Sequence, residues 1–180
     1  DMIDSLKNVT HKKGAVVLLK APMGSGKTQV VLKDCMSESQ ESNKFPIAIA
    51  PVKSLVLACA KTFDVSHYML DRDDDFEITG NSHRSVATGL AVTINSLPLD
   101  KFKTFSARSS IVVADEISQI LRSITHGTVK DDMKAITERS LANLLNKTEL
   151  AVLADADLNH NVINYVRKVT HEDVLVVVIE

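Results

Sequence analysis

Short runs of apolar residues along the chain alternate with longer segments in which apolar residues recur every three or four positions. The short runs, each bounded by polar or turn-forming residues, cover 15–20, 44–50, 90–94, 110–114, 149–153 and 174–179. Such runs, when rich in β-branched residues, are typical of strands buried on both faces, as in parallel sheets. The pattern therefore predicts an α/β fold, with a mostly parallel sheet and helices on both of its faces.

The longer segments have the spacing of amphipathic helices. These helices are predicted over 1–13, 28–36, 52–63, 117–124, 129–145 and 158–167. Their sheet-facing positions include Val30, Val52, Leu55 and Ile136. Asp157 is predicted to cap the last helix, since a carboxylate there accepts hydrogen bonds from backbone N–H groups of the first turn.

The first apolar run leads into a glycine-bearing turn that ends in Gly26-Lys27-Thr28. A strand, a glycine-rich loop and a helix in this order are typical of a phosphate-binding loop, in which glycines let backbone N–H groups converge on an anion. We expect Lys27 to contact the β- and γ-phosphates of a triphosphate and Thr28 to ligate Mg²⁺. Ala21 stands where the strict pattern has glycine. The competing interpretation is a Gly/Ser turn with a solvated lysine.

Two adjacent carboxylates, Asp115 and Glu116, follow the apolar run 110–114. Hydrolysis of a magnesium-bound nucleotide requires one carboxylate near the metal and one that polarises water in line with the γ-phosphate. Asp115 is assigned to the metal and Glu116 to the water. The alternative is that Asp115 caps the following helix, which would account for one acid but not for both.

Small polar residues follow two other predicted strands, as Lys53-Ser54 after the second and Asn95-Ser96 after the third. Ligands of open α/β sheets bind at the carboxyl ends of the strands, and a helix start there suits a nucleic-acid phosphate. The alternative for the first pair is an ordinary first helical turn with a solvated lysine. The second pair also has the composition of an ordinary turn.

Asp155 lies at the end of the predicted strand 149–153, in the segment Ala154-Asp155-Ala156-Asp157. A carboxylate at a strand end beside the phosphate loop could sense the γ-phosphate or couple it to a bound nucleic-acid strand.

The acidic segment 71–77 resembles a calcium loop in its alternating aspartates. Because Phe76 and Ser82 stand where such a loop needs glycine and glutamate, we interpret it as a solvated loop.

Composition is that of one globular domain without a membrane partner. The 180 residues are 44% hydrophobic and 24% charged, with a formal charge of −2, so no overall positive field indicates nucleic acid. The two cysteines, Cys35 and Cys59, fall on apolar helix faces and are predicted to be buried thiols in a reducing compartment. Because the sequence begins at Asp1, we expect it to have been excised from a longer protein.

Five segments together carry a resemblance to a known family. They are APMGSGKT, PVKSL, TINSL, VVADEI and ADAD, in this order along the chain. With them the chain resembles the first RecA-like domain of superfamily 2 helicases, most of all viral origin-binding helicases and related plasmid or phage replication proteins. The resemblance covers nearly the whole chain. It implies a P-loop NTPase fold, with ATP and Mg²⁺ as cofactors.

The resemblance also implies roles for individual residues. The residues that would bind the phosphates are Gly24, Ser25, Gly26, Lys27 and Thr28. Asp115 and Glu116 would serve the metal and the water. The residues that would contact a nucleic-acid backbone, of single-stranded DNA above all, are Lys53, Ser54, Asn95 and Ser96. Asp155 and Asp157 stand where the family has a Ser-Ala-Thr motif that links hydrolysis to strand movement, and this chain departs from that motif.

On this resemblance, residues 1–180 are a single domain of a longer replication helicase. The family completes its site with a second RecA-like domain whose arginines contact the γ-phosphate, so we expect this chain alone to bind nucleotide weakly and hydrolyse it poorly. We expect it to act inside the cell, in bacterial cytoplasm for a phage or plasmid protein and in the nucleus for a viral one.

Three alternative functions are compatible with the same sequence. A small-molecule P-loop kinase would share the loop and the length, although it usually carries clustered arginines late in the chain, where this sequence has only the separate Arg139 and Arg167. A nonenzymatic assembly module would use ATP only to set a conformation. The third alternative is a structural protein with a degenerate loop. The chain argues against it, because it retains Lys27, Thr28, Asp115 and Glu116.

Overall fold

The computed structural model describes residues 15–41, 44–67, 89–127, 129–170 and 174–178. The helix predicted over 1–13 and the acidic segment 71–77 lie outside these residues. Within them the strands are β1 Ala15–Lys20, β2 Phe45–Ala50, β3 Ser66–His67, β4 Leu90–Thr93, β5 Ser109–Asp115, β6 Leu150–Asp155 and β7 Val174–Val178. The two-residue β3 was not predicted, because it is too short to leave a periodic pattern.

The strands form one sheet in the order β3-β4-β2-β5-β6-β1-β7, and neighbouring strands pair in parallel throughout the described residues. This order makes β1, β5 and β6 neighbours, with β2 directly beyond β5. The carboxyl ends of all these strands therefore meet along one edge of the sheet. A parallel sheet with helices on both faces confirms the predicted fold class.

Helix α1 starts as a π-helix over Lys27–Leu32 and continues as an α-helix over Lys33–Glu41. The further helices are α2 Lys53–Phe63, α3 Asp100–Arg108, α4 Ile117–Thr125, α5 Asp131–Lys147 and α6 His160–Val169. Apolar residues of α1 and α2 pack on one face of the sheet, in a cluster with Val17, Leu19 and Val113. Residues of α3 to α6 pack on the other face. The sheet is thus covered on both sides.

The assignment of Val30 to the buried face was wrong. Val31 and Leu32 are buried, whereas Val30 is 43% exposed. The physical reason is the π-helical start of α1, because its wider turn shifts which side chains face the sheet relative to a 3.6-residue period.

Three further inward assignments were wrong. Val52 and Leu55 are 44% and 37% exposed, since Val52 lies outside α2 as its N-cap and the buried face of the helix begins at Val56. In α5, Ile136 is 48% exposed, and the neighbouring Thr137 is buried in its place. In each case the buried stripe is displaced by about one position from the one that hydrophobicity alone predicts.

The assignment of Asp157 as a helix cap was also wrong. Helix α6 begins at His160, and its N-cap is Asn159. The Asn159 side-chain oxygen accepts hydrogen bonds from the backbone N–H groups of Asn161 and Val162, at 3.0 and 3.2 Å. Asparagine caps as well as aspartate does, so the sequence offered two candidates two residues apart.

Candidate nucleotide-binding site

The loop between β1 and α1 has the backbone of an anion site. Gly24 and Gly26 have φ angles of 77° and 82°, in the left-handed region that glycine enters without a steric penalty. Gly26 is the N-cap of α1, and its carbonyl accepts a hydrogen bond from the Val30 N–H at 2.8 Å. The loop thus ends at a helix N-terminus whose first N–H groups lack partners within the helix, as phosphate binding requires.

Lys27 lies between this loop and the acid pair. Its Nζ atom is 3.3 Å from Glu116 Oε1 and 4.0 Å from Asp115 Oδ1, and its side chain is only 8% exposed. Next to it, Thr28 Oγ1 donates a hydrogen bond to Asp115 Oδ2 at 2.5 Å. The structure therefore brings together the four side chains that the sequence assigned to phosphate, metal and water.

Strand order explains this meeting of residues that are almost ninety positions apart in sequence. β1 delivers the loop, β5 delivers Asp115, and only β6 lies between the two strands. The β1–β6 register pairs Lys20 with Asp155, and the β5–β6 register pairs Asp115 with Ala154. Since the strands are parallel and end level with one another, their final residues face a common space.

Glu116 has a backbone conformation that is unusual for its residue type. Its φ and ψ are 61° and 53°, and it occupies the N-cap position of α4 without a side-chain capping bond. A side chain other than glycine in this left-handed region costs free energy and is found most often at functional sites. The alternative in which Asp115 caps the helix was wrong, because the N-cap is the second acid of the pair.

The residues present fit a magnesium ion. Asp115 Oδ1 is buried and has no hydrogen-bond partner among the described residues, and Asp115 Oδ2 accepts a hydrogen bond from the Thr28 hydroxyl. No group of three or more histidine, cysteine, aspartate or glutamate residues suited to a metal occurs in the part of the chain that the structure describes. Magnesium does not need one, since it commonly binds one or two protein oxygens together with waters and substrate phosphates.

The pKa values of the two cysteine thiols are both raised. The pKa of the Cys59 thiol in α2 is raised to about 12, mainly by burial and in smaller part by the negative charge of Asp115. Burial is also the main cause that raises the pKa of Cys35 to about 12, with Glu38 and Asp34 adding to it. Both cysteines are free and buried, as the sequence predicted.

Asp155 is buried at 1% exposure, and both of its carboxylate oxygens accept backbone hydrogen bonds. The donors are the N–H groups of Ser118, at 2.6 Å, and of Asp157, at 2.7 Å. Its own carbonyl accepts from the Ala21 N–H at 3.1 Å. Asp155 thus connects the start of the phosphate loop to the first turn of α4, while Asp157 is exposed and joins it through a main-chain group.

The residues that the sequence predicted to contact a nucleic-acid strand follow the carboxyl ends of β2 and β4. Helix α2 begins at Lys53, and Lys53 and Ser54 are both exposed. Asn95 and Ser96 follow β4, where the Thr93 hydroxyl donates to Ser96 Oγ at 3.1 Å. Because β2 pairs with β4 and with β5, the structure brings the two pairs to neighbouring strand ends, beside the acid pair.

Sequence reasoning missed Ser118 and Asn159. Asn159 could have been found, because asparagine is a preferred N-cap residue. Ser118 left no signal, since its part in the site is played by a backbone N–H that any residue except proline would carry.

Among the helices within the described ranges, none has both the length and the apolar character that crossing a bilayer demands.

No protein-family model matches the chain. The chain is 26% identical over 152 residues to a protein of Escherichia phage T5 that is provisionally named a replication origin binding protein. The match covers 84% of this chain and 15% of the phage protein, so this chain spans less than a sixth of its relative.

Two solved structures are similar in fold. The Sulfolobus solfataricus SWI2/SNF2 ATPase core in complex with double-stranded DNA matches 92% of this chain and 33% of its own, at 13% identity and a TM-score of 0.57. The DUF1998 helicase MrfA bound to DNA and AMPPNP matches 99% of this chain and 26% of its own, at 11% identity and a TM-score of 0.60. The chain therefore has the RecA-like fold of a helicase ATPase core, which confirms the resemblance to a first RecA-like domain at the level of fold.

Proposed function

We propose that the chain is the ATP-binding motor domain of a DNA helicase or translocase, or of a replication origin-binding protein, and couples ATP hydrolysis to movement of a nucleic-acid strand. The observation that carries this proposal is the cluster of Lys27, Thr28, Asp115 and Glu116 beside a glycine loop with anion-binding backbone. The name of the phage relative and the nucleic acid in the two similar structures support the same class of function.

The roles follow from the positions of the side chains. The backbone N–H groups of Gly24, Ser25 and Gly26 bind phosphate oxygens, and Lys27 leaves Glu116 to contact the β- and γ-phosphates. Thr28 and Asp115 would hold Mg²⁺, which would neutralise charge on the phosphates. Glu116, released from Lys27, accepts a proton from the attacking water.

A single strand of DNA runs across the ends of β2 and β4. Lys53 and Ser54 are exposed at the start of α2, where an ammonium, a hydroxyl and a helix N-terminus together suit a phosphate. Asn95 and Ser96 give hydrogen bonds from the neighbouring strand end. Asp155 and Asp157 couple the two sites, since Asp155 connects the loop at Ala21 to the helix that follows Glu116.

The full motor requires a second RecA-like domain in a longer protein of which residues 1–180 are one domain. Arginines of that second domain would stabilise charge on the transferred phosphoryl group, a contribution that is worth a large rate factor in related chemistry. The chain alone therefore binds ATP weakly and hydrolyses it slowly.

Binding of a fluorescent ATP analogue tests the site directly, with Lys27→Ala as the variant and Lys33→Ala, an exposed lysine of the same helix, as the matched control. We expect at least tenfold weaker binding for Lys27→Ala, in the presence of magnesium, and unchanged binding for Lys33→Ala. Equal affinity of the two variants would refute the proposed site. Steady-state ATPase with and without single-stranded DNA tests the remainder, and fast DNA-stimulated turnover by this chain alone would contradict the need for a second domain.

A further inference from the structure

A cavity of about 830 Å³ lies on the sheet face that is covered by α3 to α6. It is lined by α4 from Ser118 onwards, by α6 around Tyr165 and by Glu138 of α5, and Pro51 and Val52 form part of its wall. Its volume is within the range of sites for small organic ligands, about 300–1,000 Å³. The phosphate loop does not contribute to the lining, so the cavity is distinct from the nucleotide site.

Ser118 is one of two residues in this lining, with Tyr165, whose buried hydroxyl has no hydrogen-bond partner among the described residues. Ser118 is 8% exposed, and its Oγ atom has no hydrogen-bond partner among the described residues. Its backbone N–H, in contrast, is bound by Asp155, which holds the residue in place. A buried hydroxyl is usually hydrogen-bonded, because leaving it unpaired is costly. A ligand that presents a hydrogen-bonding edge in the cavity would satisfy it.

The other lining groups indicate the chemistry of that ligand. Amide side chains from Gln119 and Asn161 offer both donors and acceptors, and Tyr165 offers an aromatic ring. Arg122 and Glu138 carry opposite charges, so the lining does not favour an anion. A flat, neutral group with polar edges fits this combination, and a nucleobase is such a group.

The position of the cavity indicates where the nucleobase comes from. Pro51 and Val52 line the cavity and directly precede Lys53 and Ser54, the two residues proposed to bind strand phosphates. A nucleic-acid strand bound by Lys53 and Ser54 would therefore lie next to this part of the cavity wall. The lining also includes Ser118, which is two residues from Glu116 and follows β5, the strand that pairs with β2.

We propose that this cavity receives one base of the bound single strand, with the Ser118 hydroxyl hydrogen-bonded to the edge of the base. This inference rests on the strand contact in the proposed function. A base in the cavity would contact the first turn of α4, which directly follows Glu116. Binding of the nucleic-acid strand would thereby be coupled to the acid pair.

The test compares a short oligothymidine of about ten nucleotides with the same sugar-phosphate chain carrying abasic sites. Asn161→Trp would fill the mouth of the cavity, and Asn164→Trp is its control, because both asparagines are exposed on α6 and only Asn161 lines the cavity. By fluorescence anisotropy we expect Asn161→Trp to bind the oligothymidine about tenfold more weakly and the abasic chain equally well. Asn164→Trp should change neither. Ser118→Ala, which removes only the hydroxyl, should lower affinity in the same selective way.

Three results would overturn the proposal. Equal weakening of both chains by Asn161→Trp would mean that the tryptophan blocks the backbone path, and unchanged binding would mean that no base enters. If free thymidine bound in the cavity as well as the oligothymidine does, the cavity would be a nucleoside site and not a site for a base of the strand. The proposed strand contact fails separately, if Lys53→Ala and Ser54→Ala leave the affinity for both chains unchanged.

Discussion

The backbone N–H of Ser118 donates a hydrogen bond to the carboxylate of Asp155 across the sheet edge, with 2.6 Å between N and Oδ2. Ser118 is in the first turn of α4, whose N-cap Glu116 makes no side-chain capping bond. A carboxylate from β6 therefore does for this helix what a capping side chain does elsewhere, and it also complements the positive end of the helix dipole. The position of Glu116 depends on a residue from a different strand.

Removal of this carboxylate should destabilise the domain. Asp155→Ala leaves the N–H groups of Ser118 and Asp157 without their acceptor in a buried place, so we expect the free energy of unfolding to fall by about 2 kcal/mol. Urea denaturation measures the change. Asp157→Ala is the control, since that side chain is exposed, and it should stay within about 0.5 kcal/mol of the wild type. Equal stability of the two variants would show that the hydrogen bonds to Asp155 contribute little.

Glu116→Gln should separate binding from hydrolysis. The amide keeps the size of the side chain but cannot accept a proton, so we expect the rate of ATP hydrolysis under single-turnover conditions to fall at least about 100-fold. Affinity for ATP should be retained within a few-fold, because phosphate binding is assigned to the loop and Lys27. If the longer protein kept its biological activity with this substitution, ATP would act as a conformational switch and the motor proposal would be wrong.

The left-handed backbone at Glu116 predicts a difference between two truncations at the same position. Glu116→Ala and Glu116→Gly both remove the carboxylate and its ion pair with Lys27, but only glycine adopts a φ of 61° without strain. We therefore expect the glycine variant to be more stable than the alanine variant by about 1 kcal/mol, as measured by thermal unfolding. The opposite order would indicate that this backbone conformation carries no strain.

Lys53→Ala should weaken strand binding in a way that depends on salt. If Lys53 contacts one phosphate, its removal should lower the slope of log affinity against log salt concentration by about one unit, irrespective of base sequence. Anisotropy titrations at several salt concentrations measure the slope. Lys61→Ala, at the other end of α2 and also exposed, serves as the control. An unchanged slope for Lys53→Ala would remove that residue from the strand contact.

The two buried thiols predict how stability depends on alkaline pH. Because the pKa of Cys35 and of Cys59 is raised to about 12 from an ordinary value of 9.0, the folded state disfavours the thiolate that the unfolded chain forms. The free energy of unfolding should therefore fall as pH rises above about 9, and less so in the Cys35→Ala, Cys59→Ala double variant. Alkylation near pH 8 should be slow for the folded protein and fast in denaturant. Rapid labelling without denaturant would contradict the burial of these side chains.

Features encoded locally were predicted from the sequence. The loop at Gly26-Lys27-Thr28 has its own signature of strand, glycines and helix, and the acid pair follows a run of β-branched residues that leaves little choice of structure. Their proximity was also expected, because parallel strands place their carboxyl ends at one edge.

Features that depend on distant contacts were not predicted. The π-helical start of α1 and the exposure of Val30 depend on how the loop meets the sheet, and residue periodicity carries no record of that. The bond from Ser118 to Asp155 joins residues 37 positions apart through a backbone group, which no side-chain pattern reveals. Asn159 was overlooked because Asp157 is an equally good cap, and only packing decides between them.

The ammonium of Lys27 already faces two anionic groups before any ligand arrives, and that arrangement sets which form of the nucleotide is accepted. Lys27 carries one positive charge, and the carboxylates of Asp115 and Glu116 beside it carry two negative charges. These three side chains together therefore have a net charge of one negative unit. A bare triphosphate would add to that surplus, whereas its complex with a divalent cation carries its own compensation. On the proposed assignment of these residues, the phosphate site therefore suits the metal complex of the nucleotide, and we expect chelation of the metal to weaken nucleotide binding even where the glycine loop is intact.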